Sequence, residues 1–79
     1  MELSYDSRYN IAYIRFQPKG VEVESIRISD ELVVDVAPNG VVYGIELLNA
    51  NEQLRVGETG AIELVNEATG EHARLVLQK

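Results

Sequence analysis

The chain has no cysteine and no tryptophan, and only one histidine, one phenylalanine and two prolines in 79 residues. Without cysteine there are no disulfides and no thiolate metal sites. The lone histidine, His72, does not make a zinc site without several carboxylates gathered around it. Basic residues are also few, seven against thirteen acids, for a net charge of −6. They are scattered rather than clustered, and a nucleic-acid surface needs concentrated Lys and Arg to displace counterions. Direct DNA or RNA binding is therefore not expected. No apolar run approaches the roughly 20 residues of a transmembrane helix, so no membrane association is expected. The start, "MELSYD", is acidic and has no apolar signal-peptide core, which makes the cytoplasm the expected compartment. Walker, EF-hand, zinc-binding and nucleophile-elbow patterns are all missing. The glycines of "PNGVVYG" do not have dinucleotide-binding spacing. No catalytic residue, cofactor or metal site is expected.

What is present is alternation. Apolar residues recur at period two far more than at 3.6, the mark of half-buried strands. "ELSYD" and "IAYIRF" read as strands joined by "SRYN" (7–10), which sets Leu3 opposite Ile14, Tyr5 opposite Ala12 and Glu2 opposite Arg15. Asp6 opens that loop as an Asx-turn acceptor, and Asn10 tolerates a left-handed backbone at its end. "QPKG" (17–20) is a turn. "VEVESIRI" (21–28) switches phase partway, which predicts a strand with a bulge near Ser25; "SDE" (29–31) turns again. "LVVDVA", "PNG" and "VVYGIELL" form the clearest hairpin. A two-residue type I′ turn at Asn39-Gly40 sets Val36 opposite Tyr43, Val34 opposite Ile45 and Leu32 opposite Leu47. Asp35 then meets Gly44, and Val33 meets Glu46, on the other face. Beyond Leu48 a helical turn over 50–55 is predicted, with Asn49 or Asn51 as N-cap and Gly57 and Gly60 ending it. A second hairpin around Ala68–Gly70 pairs Ile62 with Leu75, Leu64 with Ala73 and Glu63 with Arg74. The expected architecture is a mainly β single domain, residues 1–79, built as a small antiparallel sheet of hairpins with six to seven strands.

Several side chains have the types that build sites. Tyr5, Asp6, Tyr9 and Tyr13 cluster near the first loop, but turn and core chemistry accounts for each of them. Tyr13 in particular is placed to cover bare backbone near Gly44. Arg15, Asp35 and Glu46 fall on one sheet face. Two carboxylates and an arginine act as an acid/base pair only in a cleft that drives their pKa values apart; on an open face they form a solvated charge network. Glu22 and Glu24 read as charges that keep an edge strand from pairing indiscriminately. The candidate ligand or partner contacts are Tyr13, Arg15, Asp35 and Glu46.

The order "YD…IAYIRF…VEVES…LVVDVAPNGVVYGIELLNA" resembles the domain of unknown function 2283 family over about residues 5–50. Two positions depart from the pattern: "SRYN" stands where an acidic loop residue is common, and Tyr43 where a smaller one is. The tail, 51–79, lies outside the pattern and reads as a linker plus the C-terminal hairpin. The resemblance implies a compact β-rich domain without an established activity. Members look, in genomic context, like neighbours of small ribonuclease-type toxins, which implies an antitoxin-like role. The expected function is a small non-enzymatic protein-binding module, antitoxin-like, for a basic protein that it meets by charge complementarity. The alternatives are a small ligand-binding or enzymatic domain and a purely structural homo-oligomer. A homodimer is expected as well. A chain this short buries only about 60% of its unfolded surface, and Val33, Val42 and Val21 or Val23 put apolar residues on the sheet's second face.

Overall fold

A computed structural model describes residues 1–18, 20–57 and 61–78. The opening hairpin forms as its alternation requires: β1 (Glu2–Asp6) and β2 (Ile11–Arg15) pair antiparallel, with Leu3 opposite Ile14, Tyr5 opposite Ala12 and Glu2 opposite Arg15. The loop between them is held by Asp6, whose Oδ1 accepts the Arg8 amide at 2.9 Å. Asn10 takes a left-handed backbone with φ 59°.

A meander follows: β3 (Glu24–Ser29), β4 (Leu32–Val36) and β5 (Val42–Leu48). β5 then lies beside β2, giving a five-stranded antiparallel sheet in the order β1-β2-β5-β4-β3. β3 is shorter at its start than the predicted strand, and its irregularity is elsewhere. Glu24 pairs with Val36, the last residue of β4. Val21 and Val23 therefore have no partner strand to join. The phase switch is absorbed not at Ser25 but between Arg27 and Ser29, where Ile28 is the extra residue.

The β4–β5 turn also differs from its predicted form. Gly40 N–H donates to Ala37 O and Ala37 N–H to Val41 O, each at 2.9 Å. The loop thus has three residues, Pro38, Asn39 and Gly40, with Gly40 at φ 89°, the arrangement of a turn followed by a glycine bulge. The reason is Pro38. A two-residue turn would put it in the ladder opposite Val41, where it has no N–H to give; here it sits just after the turn's first residue, where its fixed φ helps. Val36 consequently pairs with Val42 instead of Tyr43, and Tyr43 is the extra residue that restores the predicted register from Asp35–Gly44 onward. Its carbonyl accepts the Phe16 amide at 2.9 Å.

The helical segment is one turn, α1 (Ala50–Gln53). Asn49 is its N-cap but is left-handed (φ 55°, ψ 44°) and makes no side-chain cap bond. Distant polar groups fix α1 instead. Asn10 O accepts the Ala50 amide at 3.0 Å, and Asn10 Oδ1 accepts the Asn51 amide at 2.6 Å. Tyr5 Oη donates to Asn51 Oδ1, and Gln53 Nε2 donates to Leu48 O at 2.7 Å and Glu31 O at 3.0 Å. Gly57, at φ 80°, follows the turn after α1; Gly60 lies outside the described residues. β6 (Ile62–Val65) and β7 (His72–Leu75) form a separate two-stranded sheet with the predicted pairs Ile62–Leu75, Glu63–Arg74 and Leu64–Ala73. Seven strands are thus formed among the described residues.

The described residues that are buried are small: Ala12, Ala37, Gly44, Ala50 and Val56. The large apolar side chains of the sheet face that carries Leu3, Ile14, Val34, Ile45 and Leu47 are only half-buried.

Candidate functional site

The register places the polar residues of the opposite face in rows that cross the sheet. Glu2, Arg15, Gly44, Asp35 and Ser25 stand opposite one another from β1 to β3, and Ser4, Tyr13, Glu46, Val33 and Arg27 form the adjacent row. Tyr13, Arg15, Asp35 and Glu46 are therefore brought together, as expected, on one face. Residue alternation fixes the face; the non-sequential pairing of β2 with β5 puts Gly44 between Arg15 and Asp35.

Gly44 gives the rows their geometry. Tyr13 lies over it, and a Cβ at position 44 would stand 2.6 Å from Tyr13 Cε1 and closer still to Oη. That approach carries the phenol across β5 to β4, where it donates to Asp35 Oδ2 at 2.7 Å. Ser25 Oγ donates to Asp35 Oδ1 at 2.6 Å. Both carboxylate oxygens are thereby engaged. The Arg15 guanidinium stacks on the Tyr13 ring, 5.0 Å from its centroid, and its Nε is 3.9 Å from Glu2 Oε1, a loose and solvent-screened pair. Burial, then the hydrogen bond to Asp35 and its negative charge, push the Tyr13 phenol from 10.0 up to about 12. Tyr13 is thus a neutral donor at every physiological pH. Glu46 shares the face and contributes its charge, but it is not part of the hydrogen-bonded chain.

Such a cluster has the chemistry of a fixture. Asp35 is an acceptor whose two oxygens are already satisfied, and a phenol raised to about 12 holds its proton too tightly to exchange it as acid or base near neutral pH. Beside it lies a hollow of about 420 Å³ lined by Tyr13, Arg15, Val21, Val23, Asp35 and Tyr43. Ser25 is the member of the cluster that sequence reasoning missed. Its signal was the phase of β3: counted from Glu24, it falls opposite Asp35. Asp6 and Arg8 lie elsewhere, joined at the loop tip with Nη2 to Oδ2 at 2.9 Å, and this pair lowers the Asp6 carboxyl. Tyr9 is exposed, and His72 sits on β7, also exposed. Among the described residues no group of three or more His, Asp or Glu side chains is arranged to hold a metal ion. No helix among them is long and apolar enough to cross a membrane.

Fold and face together define a small, mainly β domain whose polar face is a hydrogen-bonded row laid across one antiparallel sheet. The model of the family described as protein of unknown function (DUF2283) matches residues 2–51. That span is more than half of the chain and holds β1 to β5, and the chain belongs to this family. No curated protein and no solved structure matches it.

Proposed function

We propose that the protein is a protein-binding module that receives a basic partner along β3, without catalysis of its own. The observation behind this is the state of that strand. β3 is an edge of the sheet and all six of its residues are exposed, with Ile26 at 41% and Ile28 at 60%. Residues 21–31 carry four acids, Glu22, Glu24, Asp30 and Glu31, against one arginine, Arg27. That is net −3, half the charge of the chain. An open edge offers backbone groups for strand addition, and the side chains beside it set the choice of partner. The acids discourage a second copy from pairing there and attract a basic segment. A small basic RNA-acting protein, whose RNA site would be covered by this acidic edge, is the antitoxin-like form of the proposal.

Affinity capture from the native host tests it, with the intact chain, Ile28→Lys and Tyr13→Phe as baits. The expected result is one basic protein recovered stoichiometrically by the intact chain and by Tyr13→Phe, and lost with Ile28→Lys. Equal recovery on all three baits, or none on any, contradicts the proposal. The hollow beside Tyr13 supports a second reading, a small-ligand site. Thermal stabilisation by a ligand that disappears in Asp35→Asn, where the carboxylate charge facing the hollow is lost, would favour it.

A further inference from the structure

The chain exposes more surface than its mass warrants. A folded monomer of 8.8 kDa has an accessible surface of about 4,800 Å², whereas this chain exposes 5919 Å². Its radius of gyration is 14.0 Å, against about 11.6 Å for a compact domain of this length. The excess area, about 1,100 Å², exceeds the ~800 Å² that each partner contributes to a standard stable interface.

The excess has a location. The C-terminal hairpin stands over one end of the apolar sheet face and leaves a groove of about 320 Å³, lined by Leu3, Ile14, Leu47, Ile62, Leu64 and Leu75. Leu64 remains 61% and Leu75 49% exposed. Two short strands do not cover a five-stranded face, and a half-covered apolar layer is not a finished core. No large side chain is fully buried among the described residues. We infer that a second copy of this chain seats in this groove, forming an isologous dimer in which the apolar sheet face and the hairpin side bearing Leu64 and Leu75 meet their counterparts.

The second copy is favoured as occupant for three reasons. The area fits a stable dimer. The groove is needed for a core, so its occupant must be present whenever the chain is folded, and only another copy always is. The groove is also nearly free of the chain's negative charge: Arg74 is its one charged lining residue among the described residues. Glu2, Asp35 and Glu46 lie on the opposite sheet face, where like charges stay apart when the apolar faces meet. This places the dimer on the face opposite to that of Val33, whereas Val42, expected beside Val33, pairs with Val36 on the apolar side, and it leaves β3's edge free for another partner.

Sedimentation equilibrium of the full chain over the micromolar range tests the inference, with variants Leu64→Lys, Val65→Lys and Ile28→Lys. Val65 alternates with Leu64 along β6 and does not line the groove. A species of twice 8.8 kDa is expected for the wild type, Val65→Lys and Ile28→Lys, with the dimer dissociation constant raised more than about 30-fold in Leu64→Lys. A wild-type monomer at 100 µM (about the top of the usual range), a Leu64→Lys dimer as tight as wild type, or a dimer lost in Ile28→Lys overturns it. Because Leu64→Lys can lose its fold, a second measurement uses the absence of native cysteine. Maleimide labelling of Leu64→Cys is expected to slow more than about tenfold as protein concentration passes through the dimer range, while Val65→Cys labels at a constant rate. Equal, concentration-independent rates at the two positions overturn the inference.

Discussion

Replacing Gly44 by alanine adds a single methyl group, and the structure says where it goes. The new Cβ would lie 2.6 Å from Tyr13 Cε1 and nearer to Oη, against an ordinary carbon–carbon contact of about 3.5–4.0 Å. Gly44 is in mid-strand and paired on both sides, with Arg15 and Asp35, so the backbone holds and the ring must swing away. The bond from Tyr13 to Asp35 then breaks. A hydrogen bond to a charged group contributes about 1.5–3 kcal/mol. Alanine recovers about 0.5–1 kcal/mol because it suits a strand better than glycine does. The expected net loss is about 0.5–2.5 kcal/mol, or roughly 2–20 °C in Tm for a domain of this size. Urea unfolding at fixed protein concentration measures it. The decisive arm is the double-mutant cycle. In a Tyr13→Ala background there is no ring to displace, so Gly44→Ala is expected to be neutral or slightly stabilising. A Gly44→Ala protein within about 0.3 kcal/mol of wild type, or the same loss in both backgrounds, would refute the account of the Tyr13–Gly44 contact.

Gly40→Val is expected to destabilise by more than about 1 kcal/mol, because φ at Gly40 is 89° and a β-branched residue resists that backbone; chemical denaturation reads it. Stability should also fall as pH rises from about 10 to about 12. The Tyr13 phenol holds its proton up to about 12 in the folded protein and only to 10.0 otherwise, so the unfolded chain loses its proton first. The contribution is present below pH 10 and lost through pH 12, on the order of 1 kcal/mol once solvent screening of this partly exposed group is allowed for. Tyr13→Phe should flatten that slope and remove the highest-pH step from the phenolate absorbance titration.

The candidate face was legible because period two is rigid. Once Leu3, Ile14, Val34, Ile45 and Leu47 are assigned to one side, Tyr13, Arg15, Asp35 and Glu46 have only the other side to occupy. Hairpin registers followed from the same rule, and so did the covering of Gly44 by Tyr13. Alternation does not say where an extra residue enters a strand, so the bulge at Ile28 was expected near Ser25 and the one at Tyr43 was not foreseen. Pro38 did carry a readable signal, since a residue without an N–H was a poor ladder partner for Val41. The pairing of β2 with β5 and the bonds from Asn10 to Asn49 and Asn51 span too much chain for any local pattern to encode.

Hydrogen exchange read by mass spectrometry, on the free protein and on its complex with the captured partner, tests most directly whether β3 is the working surface. In the free protein the segment 24–29 should exchange faster than β4 or β5, because it is exposed and paired on one side only. On binding, the expected result is strong added protection over 24–29, with little change over β1 and β2. Protection confined to residues 2–16, or a complex in which 24–29 exchanges as fast as before, would contradict the account.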